Sequence, residues 1–310
     1  MIVVPDWSGL ALAVVMLLVT ASAAAGLEGA LAARATGRPA RRGVGAAWAE
    51  TARLLRQRRR SPLAADRLLW RVGIAVLVVA PLLMVAVVPW GRTALVDSEI
   101  GVVWFNAADV LVWAAVWLLG WGPNSAWSLV GGYRFLAGAL AYELPLMFAL
   151  TAPGLAAGSL RLSDVVAAQH SVWFVVWMPV AFLVMCLGVA GFSVWGPLSP
   201  AAGTDVAGGV LAELSGPDRL LVQAGRYLLL AAGSAVAAVL FLGGGSGPLL
   251  PGWAWLLVKT VLVLVGLVAL RRRLPLLRPD RFMELGWLLL LPATLLQLLV
   301  VALVVIGRSR

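Results

Sequence analysis

GGYRFLAGALAYELPLM, residues 131–147, reads as a membrane helix with an arginine at its mouth and a glutamate, Glu143, set among Leu, Ala and Phe. A charged side chain inside such a helix costs about 2.5–3.5 kcal/mol on insertion scales, so it usually faces a protein or water-filled interior and marks an ion or proton route. The plainer alternative is a neutral, hydrogen-bonded glutamic acid that only joins helices. Its companions in other apolar segments are Glu28, Asp109, Arg134, Lys259 and Arg226. Arg134 precedes Glu143 by nine residues, about two and a half turns, which puts the two on different faces of their helix.

The rest of the chain repeats the apolar pattern. It is 62% hydrophobic and 12% charged over 310 residues, with a mean hydropathy of +0.97. A soluble domain of that composition lacks the polar surface to cover itself. Apolar runs near membrane-crossing length recur at 9–27, 70–89, 104–121, 135–157, 172–191, 222–243, 253–270 and 286–306. Helices close their backbone hydrogen bonds locally, so the expected fold is all-α, a single polytopic membrane domain over 1–310 with about eight spans. The third span is the weakest, because Asp109 interrupts it. Most of the fifteen tryptophans fall near segment ends, where an amphipathic ring favours the membrane interface.

Charge orients the chain. Eleven arginines lie between Arg34 and Arg71, and Arg271, Arg272, Arg273, Arg278 and Arg281 follow the seventh span. By contrast, the 90–103 loop sets Arg92 against Asp97 and Glu99. Positively charged loops stay inside, which predicts a basic cytoplasmic loop at 34–69, another cytoplasmic loop at 192–221, and both termini outside the cytoplasm. This accounts for the net charge of +10 without a nucleic-acid partner. The dense first loop also suits anionic lipid or an acidic partner subunit. ASAAAG at 21–26 resembles a cleavage site, but the leader MIVVPDW has no basic residue, so the first helix is read as retained. Cys186 is the single cysteine and His170 the single histidine, which argues against a disulfide framework or a metal cluster within the chain. GGGSG at 243–247 follows a membrane helix and reads as a turn, not a nucleotide loop.

GWGPNSAWSLVGGYRFLAGALAYELPL at 120–146 resembles the G-W-x-S-N and Y-E block of a membrane subunit family of respiratory complex I, the H-type subunits of bacteria and their mitochondrial counterpart, subunit 1. The matching positions are Gly120, Trp121, Asn124, Arg134, Tyr142 and Glu143. DSEIGVVW at 97–104, GSLRLSDVVAAQ at 158–169, LFLGG at 240–244, Lys259 and PLLRPDRFMELGW at 275–287 are similar to further family blocks, in order along the chain. In AGFSVWGPLSPAAGTDVAGGVLAELSG at 190–216, however, Gly191, Val194, Leu198, Ala201 and Gly203 stand where the family has glutamate, arginine, aspartate and two glutamates. Asp205 and Glu213 keep their acids, and Arg226 precedes Tyr227 where the family has a Glu-Tyr pair.

The resemblance implies a membrane subunit of a proton-translocating NADH-quinone oxidoreductase in the plasma (inner) membrane, with no complete active site of its own. It implies a proton path through Glu143, Glu213, Asp205 and Glu28. Arg134, Arg34, Arg38, Glu50 and Arg53 are expected at the quinone site and cytoplasmic mouth. Quinone is the implied substrate, other complex I-like subunits and membrane lipid are the implied partners, and flavin and iron–sulfur clusters are expected on those subunits and not on this chain. Two other roles stay open, a membrane anchor of a hydrogenase or formate hydrogenlyase-type complex and a non-catalytic scaffold.

Overall fold

The computed structural model describes residues 7–91 and 94–308. The leader up to Asp6 and the loop residue Arg92 lie outside the described residues. In chain order the helices are α1 (Trp7–Ala35), α2 (Ala40–Val44), α3 (Ala46–Arg56), α4 (Arg67–Ala86), α5 (Gly101–Trp121), α6 (Ala126–Ala157), α7 (Leu162–Ala167), α8 (Phe174–Trp177), α9 (Pro179–Phe192), α10 (Gly216–Phe241), α11 (Gly252–Arg273), α12 (Pro279–Leu285) and α13 (Leu291–Arg308). Among the described residues, eight segments are long and apolar enough to cross a membrane, the last running through α12 and α13. The fold is all-α and polytopic, as the hydropathy pattern requires.

α10 is the central post. Every residue from Leu228 to Phe241 is buried, and α1, α4, α9 and α11 pack around it. α5 and α6 form a second layer, and α13 lies on α6 and α9 with most of its surface outward. Small residues permit the close crossings: a Cβ on Gly120 would meet the backbone of Gly132 and Ser128, so α5 and α6 touch almost backbone to backbone. The helix ends define two faces, an arginine-rich one carrying 36–66, 193–215 and 274–278, and an opposite one carrying 87–91, 94–100, 158–173 and 242–251.

Three segments differ from the hydropathy reading, each for a local reason. The 34–69 stretch is not an open loop. α2 and α3 fold against α1, and a Cβ at either Gly29 or Gly43 would strike the other's carbonyl. The span expected at 172–191 is broken at Met178, because Pro179 cannot donate the hydrogen bond that would continue α8. In the last span a π-helical stretch, Gly286–Leu290, precedes Pro292, whose ring would collide with the carbonyl of Leu288 in a regular helix.

Candidate functional site

Between α1, α3 and α10 lies a cavity of ≈ 410 Å³, within the size range of small-molecule sites. Its rim includes Leu18 and Trp48, both outward-facing and 52% and 66% exposed. The floor is polar. The Arg226 guanidinium donates to the carbonyls of Ser193 (3.4 Å) and Val194. Beside it the Trp195 ring packs against Tyr227 at 5.2 Å, with the Arg271 guanidinium 4.7 Å from its centroid. Glu28 Oε1 pairs with Arg271 at 2.9 Å and also with Arg272.

Glu50 lines the same cavity from α3, where Arg53 donates to both its carboxylate oxygens. Hydrogen bonding from Arg53 holds the Glu50 carboxyl below the usual glutamate value, against a smaller opposing effect of burial. Of the residues expected at a quinone site or mouth, Glu50 thus reaches the cavity and Arg53 supports it. Arg34 and Arg38 are exposed at and just beyond the end of α1 and make no ion pair among the described residues. Arg134 is elsewhere: its guanidinium donates to the Gly208 carbonyl at 2.9 Å and pins the 203–215 segment to α6.

A second polar site lies in the interior between α5 and α6. Asp109 is fully buried and interacts with the Glu143 carboxyl, and Asn106, one turn from Asp109, reaches Glu143 as well. The Tyr142 hydroxyl and Trp113 Nε1 are buried beside them, their rings edge to face at 6.4 Å. Asn106 is the one amide beside the pair, and none of the four carboxylate oxygens has a partner at full hydrogen-bond geometry among the described residues. No lysine or arginine pairs with either acid among the described residues. Two carboxyls that face each other in this way can share a proton, which then serves as the donor between them. Asp109 is visible in the sequence as an acid inside an apolar span, but a 34-residue separation from Glu143 conceals the pairing.

The other expected path acids are dispersed. Glu213 accepts from the Ser125 hydroxyl at 2.6 Å on the arginine-rich face, Asp205 is exposed in the same segment, and Glu28 belongs to the arginine cluster of the first cavity. A smaller cavity of ≈ 20 Å³ lies between Arg134, Tyr142 and Pro200, room for about one water. Gly191 borders it, and a Cβ there would overlap the Tyr142 ring. Tyr142 thus packs directly on Gly191, where the resembled pattern has a glutamate. On the opposite face Lys259 donates to the carbonyls of Gly244 and Ser246 at 2.9 and 2.7 Å and lies 4.5 Å from the Trp173 ring. Those contacts tie α11 to the 242–251 turn.

The sequence profile described as NADH dehydrogenase matches residues 8–302. The chain is 35% identical to an H-type NADH-quinone oxidoreductase subunit of Geobacter sulfurreducens, over 81% of this chain and 80% of the relative. It is also 35% identical to an H-type NADH-quinone oxidoreductase subunit of Rhodopseudomonas palustris strain HaA2, over 84% and 82%. Against the corresponding NADH-quinone oxidoreductase subunit of Carboxydothermus hydrogenoformans the identity is 29%, over 82% and 74%.

Proposed function

The chain belongs to the NADH dehydrogenase family, and from that premise we propose that it is the membrane subunit of an NADH-quinone oxidoreductase in which quinone occupies the α1/α3/α10 cavity and protons move through Asp109 and Glu143. The observation that carries the reading is the buried acid pair between α5 and α6. The three relatives named above are quinone oxidoreductase subunits, which favours this role over a hydrogenase anchor. A facing pair of carboxyls also suits proton transfer better than scaffolding.

Quinone reduction to quinol takes two electrons and two protons. The electrons come from flavin and iron–sulfur centres on partner subunits, docked at the arginine-rich face, which we place in the cytoplasm with both termini outside. This chain positions the quinone headgroup, with Trp195, Tyr227 and Arg226 at the cavity floor. Proton movement then centres on Asp109 and Glu143. Tyr142 and the small cavity beside Arg134 extend the polar route toward the 203–215 segment, where Asp205 and Glu213 present carboxylates. Glu28 serves the cavity by holding Arg271 and Arg272 in place.

The test is Glu143→Gln and Asp109→Asn in the assembled complex, reconstituted in vesicles. Either substitution keeps the shape of the side chain and removes a proton site, so assembly is expected to persist while protons moved per electron fall severalfold. A proton-to-electron ratio equal to that of the unaltered complex removes the pair from the path.

A further inference from the structure

The floor of the larger cavity is rich in donors and cations and short of acceptors. Arg226 and Arg271 line it beside the Trp195 ring, and Arg271 shares one carboxylate, Glu28, with Arg272. Glu28 pairs with Arg271 and Arg272, whereas Arg226 has no ion pair among the described residues and is held by two backbone carbonyls and the face of the Trp195 ring. Its remaining N–H groups have no protein acceptor among the described residues. Trp195, 2% exposed and lining the cavity, has an indole N–H with no acceptor. A buried donor without a partner and a cation without a counter-charge are both costly, and both are relieved by a ligand that brings acceptors and negative charge.

We propose that Arg226 and Trp195 form a headgroup subsite selective for an anionic, acceptor-only ligand, and that this ligand is a quinone bearing an ionised ring hydroxyl. The inference rests on the reading of the cavity as a quinone site and adds a charge preference to it. A neutral quinone offers two carbonyl acceptors. An ionised hydroxyquinone offers three oxygens sharing one negative charge, which matches a fork of guanidinium N–H groups and compensates the excess of arginine. Glu50, the carboxylate on the cavity wall, is occupied by Arg53 and leaves that balance unchanged. Arg226 stands where the resembled pattern has a glutamate, so this preference sets the chain apart within its family. A phospholipid phosphate shares the same anionic chemistry, and competition separates the two sources.

The experiment compares 2-hydroxy-1,4-naphthoquinone, ionised at neutral pH, with its uncharged methyl ether, by equilibrium dialysis against the purified complex in detergent. The expected result is about tenfold tighter binding of the anion, a ratio that falls to about one in Arg226→Gln and stays above one in Arg226→Lys. Trp195→Phe, which removes the N–H and keeps an aromatic ring, is expected to lower the anion's affinity severalfold. Equal binding of the two quinones, or a preference that survives Arg226→Gln, overturns the subsite. Displacement of the anion by short-chain phosphatidylglycerol, but not by phosphatidylcholine, overturns its assignment to quinone. Failure of both quinones to bind overturns the quinone reading of the cavity and the inference with it.

Discussion

Glu50 and Arg53 stand one turn apart on α3, and the two hydrogen bonds between them show how a carboxylate at this surface differs from those inside. The arginine favours the charged carboxylate, so Glu50 has a lower pKa folded than unfolded. The sign follows: its contribution to stability is complete above the ordinary glutamate value, about 4.3, and is lost as pH falls through the lower folded value. Thermal melting in detergent is therefore expected to separate Glu50→Gln from the unaltered chain by a constant margin between pH 6 and 8. That margin should shrink as the solution is acidified below about pH 4; a difference independent of pH rejects the ion pair. Glu28 likewise meets arginines, while Asp109 and Glu143 meet each other. Four acids of similar chemistry thus fall into two environments set by their neighbours.

At the scale of an element, α6 explains how the 203–215 segment is held. The hydropathy reading begins this helix at 135, yet it starts at Ala126, and the added turns form the platform on which that segment rests. At about 1.5 Å per residue its 32 residues span roughly 48 Å, longer than a hydrocarbon core of about 30 Å. Arg134 and Gly131 sit on the platform, one donating to Gly208 and the other allowing the backbone of Gly209 and Val210 to lie against the helix. A methyl group at 131 has no room, whereas one at Gly138 meets nothing within 4 Å. Gly131→Ala is expected to lower the melting temperature by several degrees. Gly138→Ala should leave it unchanged or raise it slightly, since alanine favours a helix over glycine by about 0.5–1 kcal/mol. Equal melting of the two variants would mean that the segment is not seated on Gly131.

For the whole molecule, the proposed orientation makes a direct prediction. In a Cys186→Ser background, Ser171→Cys on the opposite face is expected to react with a membrane-impermeant maleimide added outside intact cells, and Ser61→Cys on the arginine-rich face only after lysis; the reverse pattern inverts the topology. The class of fold and the eight spans were readable from the chain because each membrane helix closes its own hydrogen bonds between residues four apart, so a local apolar run carries the information. The interruption before Pro179 and the π-helical stretch before Pro292 are local too, yet Pro81, Pro145 and Pro153 lie inside continuous helices, so a proline alone does not mark one. Candidate acids were readable as charges in apolar segments, Glu143 and Asp109 among them. Their partners were not, since Glu28 meets Arg272 across 244 residues and Asp109 meets Glu143 from a neighbouring helix. Sequence alone determined that this protein is a bundle of membrane helices carrying buried charge. Only the tertiary structure decided which charge faces which, because helix rotation and crossing depend on close contacts such as that between Gly120 and Gly132, which no single segment encodes.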